Sequence, residues 1–95
     1  MITSFADKEA QKIYRQIFSK KLPVHIQDIA LRKLIMLDNA KSVGDLKNPP
    51  ANHLEKLIGN RAGQYSIRIN AQWRLCFEWN ESDKSAENVE IIDYH

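Results

Sequence analysis

Two periods of apolar positions divide the chain. From about Asp7, the residues Ala10, Ile13, Tyr14, Ile17 and Phe18 recur at i, i+3, i+4, i+7 and i+8. That spacing predicts an amphipathic helix, with Ser4 or Asp7 placed to cap its start. Lys8, Lys12, Arg15 and Ser19 fall on the opposite face and read as its solvated side. After the link Lys20-Lys21-Leu22, Pro23 suits the first turn of a second helix, where its missing N–H costs nothing. Ile26, Ile29, Ala30, Leu34 and Leu37 form the second stripe, with Lys33 interrupting at the rim. Two such helices joined by a few residues predict an antiparallel hairpin. Gly44 and Asn48-Pro49-Pro50 then break the helical pattern and mark a crossing toward a sheet.

The second half has period two. Tyr65, Ile67 and Ile69 alternate with Ser66, Arg68 and Asn70, and Trp73, Leu75, Phe77 and Trp79 alternate with Arg74, Cys76 and Glu78. Adjacent alternating runs predict a hairpin turning near Asn70-Ala71-Gln72. Asn80 to Glu87 reads as a polar turn and Asn88 to Tyr94 as a further strand, while Ile2 to Phe5 suits a short edge strand. The expected fold is α+β in the order β-α-α-β-β-β, an antiparallel sheet with a two-helix hairpin packed on one face.

Length and composition fit that picture. Ninety-five residues, 43% apolar and 27% charged, make one globular domain over residues 1–95. No apolar run approaches the ~18 residues of a membrane span, and the opening residues lack a signal-peptide layout. The expectation is a cytoplasmic protein with no membrane association. The one cysteine, Cys76, excludes an internal disulfide and a multi-cysteine zinc site, so neither metal nor cofactor is expected. The net charge of +2 hides an asymmetry: residues 1–77 carry 13 Lys and Arg against six Asp and Glu, and residues 78–95 one against six. A basic body of this kind attracts polyanions.

Candidate chemistry gathers on the sheet face turned from the helices. Ser66, Arg68, Arg74 and Cys76 share it, and strand pairing brings Arg68 and Arg74 together, two guanidinium forks suited to phosphate. Lys56 and Arg61 extend the same basic surface. The alternative is that Arg68 and Arg74 pair with Glu78 and Glu90 across the sheet. The chain stops at Asp93-Tyr94-His95. A terminal carboxylate and Asp93 should favour the imidazolium of His95 and raise its pKa above the usual ~6.5. An acid or base of that kind beside arginines is what RNA cleavage by the 2′-hydroxyl needs, without requiring a metal. A frayed terminus is the bland alternative. Elsewhere, His25 reads as a surface or half-buried residue and His53 as a candidate contact in the polar crossing. Cys76 reads as a packed residue, and Trp73 and Trp79 as core. The two glycines of Gly59-Asn60-Arg61-Ala62-Gly63 lack the spacing of a phosphate loop.

The run from Leu57 to Asn70, then Gln72-Trp73-Arg74-Leu75-Cys76-Phe77 and the ending Asp93-Tyr94-His95, resembles the HigB toxins. These are a branch of the RelE superfamily, also known as plasmid maintenance killer proteins. The likeness spans nearly the whole chain, including the Met-Ile-x-Ser-Phe opening and the Pro-Pro before the sheet. It implies a RelE-like toxin of a type II toxin–antitoxin pair, an endoribonuclease that cleaves mRNA on the ribosome. The implied partner is a helix-turn-helix antitoxin of the HigA type, through which alone the toxin would meet operator DNA. Carried over by position, Arg74 is the catalytic phosphate contact, and Asp93, Tyr94 and His95 are the terminal catalytic trio. His95 transfers a proton, Tyr94 stacks on or bonds to the RNA, and Asp93 orients a neighbour or accepts a proton. Where a family pattern has a histidine and a lysine before the Gly-x-Arg segment, this chain has Glu55 and Ile58, with His53 and Lys56 two residues earlier. The second member of the acid–base pair therefore stays open between Glu55, His53 and Lys56. Two other readings compete: a same-fold toxin that poisons gyrase by binding, and a non-catalytic RNA- or ribosome-binding domain.

Overall fold

In the computed structural model, which describes residues 1–93, two helices lie against one face of a four-stranded antiparallel sheet. Helix α1 (Lys8–Tyr14) starts at Asp7, whose Oδ1 accepts from the Glu9 N–H at 2.9 Å. It ends one turn earlier than its apolar stripe predicts. Gln16 adopts the left-handed conformation (φ 62°), its N–H returns to the Ile13 carbonyl, and the Ile17 N–H returns to the Lys12 carbonyl. This paired closure satisfies the last carbonyls and turns the chain away. Ile17 and Phe18 are consequently exposed, and with Val24 they edge a groove beside Ile13 and Leu31.

Helix α2 (Val24–Asn39) follows Pro23 and buries Ile26, Ala30, Leu34 and Leu37 at the spacing of one face. Between α2 and the sheet, 3-10 turns at Val43–Lys47 and Pro50–Asn52 carry the chain across. Strand β1 (Glu55–Lys56) is a short edge that sequence periodicity did not reveal, because two exposed residues show no alternation. It pairs with β2 (Gln64–Arg68), followed by β3 (Trp73–Asn80) and β4 (Ser85–Asp93) in the order β1-β2-β3-β4.

Strand β4 begins at Ser85, inside the segment expected to be a turn. The register between β3 and β4 shifts between Cys76 and Glu78, and Asn88 sits at φ 52° within the irregularity. Asparagine tolerates that conformation better than most residues. The extra residue reverses the parity of β4, so Ala86 joins Val89 and Ile91 in the core. Ile2 and Phe5 make isolated parallel bridges to Ala86 and Val89 instead of forming a regular strand. The core is Phe77, Ile67, Leu75, Val89 and Leu46 packed under the α2 stripe, with Trp73 and Trp79 half-buried against it. Among the described residues no helix is long and apolar enough to cross a membrane.

Candidate active site

The far face of the sheet is built in cross-strand rows. Arg68 stands opposite Arg74, and Arg74 opposite Ile92; the next row runs Glu55, Ser66, Cys76, Glu90. This face looks away from the helices, as alternation requires. It is nevertheless largely covered, since Ser66 and Cys76 are fully buried and Arg74 is only 7% exposed. The turn at the end of the crossing segment lies against it, its His53 carbonyl accepting from Arg74 Nη2, and β1 extends the sheet beside β2.

Arg74 is held at several points. Its Nε donates to Ser66 Oγ at 2.8 Å and Nη2 also reaches the Ser66 carbonyl at 3.3 Å. Nη1 lies 3.8 Å from a carboxylate oxygen of Glu55. The guanidinium is thereby held on protein acceptors, and Arg74 lines a cleft of about 310 Å³ with His53, Glu55, Arg68, Asn70 and Ala71. The Arg68 side chain makes no hydrogen bond or ion pair among the described residues, and it lines the same cleft. Two neighbouring guanidinium groups on adjacent strands have the chemistry to take an anion.

The expected pairing of the two arginines with Glu78 and Glu90 does not form. Glu90 is taken by Arg61 at 2.6 Å, and Arg61 also donates to Gln64. Glu78 accepts from Asn88 Nδ2. The register shift places Glu78 opposite Glu87, two rows from Arg68 and Arg74. Lys56 and Arg61 lie beside the cleft, lining a second depression with Leu57, Ile58 and Asn60 that meets the first at Glu55. His53 is exposed at the cleft wall, and His25 is exposed on α2 away from the cleft. Asp93 ends β4 opposite Trp73 and accepts from Gln72 Nε2 at 3.1 Å. Tyr94 and His95 lie outside the described residues.

Cys76 is packed beneath the Arg61–Glu90 and Arg74–Glu55 pairs. Burial is the main cause that pushes its thiol up to about 11; Glu90 and Glu55 add to the shift, and Arg61 and Arg74 oppose it. A thiol so protonated is a poor nucleophile. Asn70 and Asn52 carry no candidate role in the sequence pattern, and Ser66 appears there only as a member of the outer face. Asn70 lies in a hairpin turn, where its type is ordinary turn chemistry.

A family model described as the RelE-like toxin of the type II toxin–antitoxin system HigB matches residues 3–95. Toxin HigB-1 of Vibrio cholerae is 41% identical over 80 residues, which cover 83% of this chain and 84% of that protein. Endoribonuclease HigB of Proteus vulgaris is 32% identical over 95 residues, 100% of both chains. The helix pair, the antiparallel sheet and this match over nearly the whole length converge: the chain belongs to the HigB-like family of RelE-like toxins, which act in type II pairs with an antitoxin.

Proposed function

We propose that this toxin is an endoribonuclease that cleaves mRNA on the ribosome and so inhibits translation. The observation that carries the reading is the cationic cleft, in which Arg68 and a pinned Arg74 face each other across a hairpin beside Glu55 and His53. The Proteus vulgaris relative, matched end to end, is named as an endoribonuclease. In the proposed reaction the RNA 2′-hydroxyl gives its proton to a base at the cleft, Glu55, His53 or Lys56, as its oxygen attacks the adjacent phosphorus and the P–O5′ bond breaks. The products are a 2′,3′-cyclic phosphate and a 5′-hydroxyl. Arg74 stabilises the charge that grows on the non-bridging oxygens, the step at which a fixed donor counts most. Arg68 and Lys56 hold flanking phosphates, and Arg61 and His53 border the same track. His95 serves as the proton donor to the 5′-oxygen, with Tyr94 against the RNA and Asp93 orienting its neighbours. The antitoxin is of the helix-turn-helix HigA type and links the toxin to operator DNA, and the site of action is the cytoplasm.

The test is pulse induction of the wild type, R74A and H95A in cells, with RNA 5′ ends mapped across translated messages. New ends inside reading frames are expected for the wild type alone, and none when translation is blocked. New ends that persist without translation would remove ribosome dependence. Growth arrest with no new ends at all would move the assignment to a binding toxin.

A further inference from the structure

Lys33 has no place in the cleft, yet it is tied to it. The side chain leaves the rim of α2 and donates from Nζ to Asn52 Oδ1 at 2.6 Å. Burial holds this ammonium below its usual pKa, with the like charge of Arg32 adding to the effect. No carboxylate pairs with it among the described residues. A partly desolvated lysine without an anion is unfavourable, so its one strong acceptor matters to where it sits.

Asn52 is fully buried and uses both ends of its amide. Its Nδ2 donates to the Leu46 carbonyl at 3.0 Å and the Asn48 carbonyl at 3.3 Å, while Oδ1 accepts from Lys33 Nζ. Its backbone N–H closes the Pro49 turn at 2.9 Å. The next residue, His53, is held in the left-handed conformation at φ 44°. A non-glycine residue stays there only when its surroundings fix it. That turn aims the His53 carbonyl at Arg74 Nη2.

We propose that Lys33 and Asn52 are positioning residues for Arg74. They lock the Pro50–Asn52 turn, and the turn presents the carbonyl that orients the guanidinium toward the scissile phosphate. The inference rests on the reading of Arg74 as the phosphate contact. Its physical basis is preorganisation: a donor already aimed at the developing charge loses little on reaction, and a displacement of about 1 Å can cost ~100-fold.

The experiment is single-turnover mRNA cleavage on programmed ribosomes by the wild type, K33M, K33R, R74K and the double variant K33M/R74K. Thermal midpoints and ribosome affinity are measured alongside. K33M keeps the aliphatic stem and removes the ammonium. It is expected to cleave about tenfold more slowly with unchanged ribosome affinity, while K33R recovers to within about threefold of the wild type. Adding K33M to R74K should cost almost nothing further, because residues that act as a unit are non-additive. An equal loss in both backgrounds, or a K33M rate equal to the wild type, would overturn the proposal. A second readout needs no activity: solvent exchange of the Arg74 Nε proton, followed by NMR in the free protein, should quicken in K33M. Unchanged exchange would also overturn it. If R74K itself cleaves at the wild-type rate, the reading of Arg74 fails and the inference with it. If R74K is impaired and K33M is not, only the positioning role fails.

Discussion

An arginine carries five N–H donors in a fixed plane, and what they bond to decides what the charge can do. At Arg74, Nε and Nη2 bond to Ser66 and to the His53 carbonyl, and Nη1 lies near Glu55, so the plane of the fork is set by protein acceptors. Arg68, opposite it, has the same chemistry without those constraints. Alternation along β3 placed Arg74 on the outer face correctly. It could not show that this face is roofed, because the turn that brings the His53 carbonyl to Arg74, and the Arg61–Glu90 and Arg74–Glu55 pairs, have no periodic signature. Cys76 under the same roof gives a residue-scale prediction. Iodoacetamide at about pH 8 should label it only slowly in the native protein and fully in denaturant, as read by intact-mass spectrometry. Rapid native labelling would mean that the far face opens.

Among the elements, α1 shows most clearly where the pattern of the sequence and the fold part. Ile13 and Ile17 lie on one helical stripe, yet Ile13 is 3% exposed and Ile17 51%. The left-handed Gln16 ends the helix between them, and nothing in a glutamine announces that conformation. I13A should therefore lower stability by about 2–4 kcal/mol, and F18S should change it by less than about 0.5 kcal/mol, in chemical denaturation. Equal losses would place Phe18 in the core after all. The α2 stripe and the β2–β3 hairpin, by contrast, were legible throughout, since their apolar positions keep one period from end to end. In β4 the period breaks at Asn88, which hid the strand's first three residues in what reads as a turn. For the candidate site, the alternation yielded its arginines. The acceptors that aim Arg74 come from a carbonyl and a serine whose sequence context is unremarkable.

On the scale of the molecule, acid sensitivity follows from carboxylates engaged in the native state. The Ser19 hydroxyl donates to Glu9 at 2.6 Å and, with Lys12 and Lys21 nearby, holds its carboxyl below the usual value of 4.5. Asp45 is held below its usual 3.8 chiefly by the Lys41 N–H. A depressed native pKa gives stability that is full above the unfolded value and disappears as pH falls through the native one. The thermal midpoint should thus drop from about pH 4.5 downward, and E9Q, which keeps an acceptor for Ser19, should flatten that drop. An identical slope in E9Q would show that Glu9 contributes no charge-dependent stability.

The opening residues carry a further consequence, one of timing. Backbone bonds join Met1, Thr3, Ser4 and Ala6 to Ala86 and Val89, and the Ile91 N–H reaches Asp7, a separation of 84 residues. Residues 1–7 therefore precede by some 80 positions the strand that seats them, and long-range pairing of this kind waits for its partner to exist. While a ribosome is still making this chain, the first six residues have no strand to dock on and the sheet lacks its fourth strand. Nascent chains stalled before Ser85 should be digested readily by protease, and chains carrying β4 clear of the tunnel should resist. A toxin built in this order has no finished fold until β4 has been made.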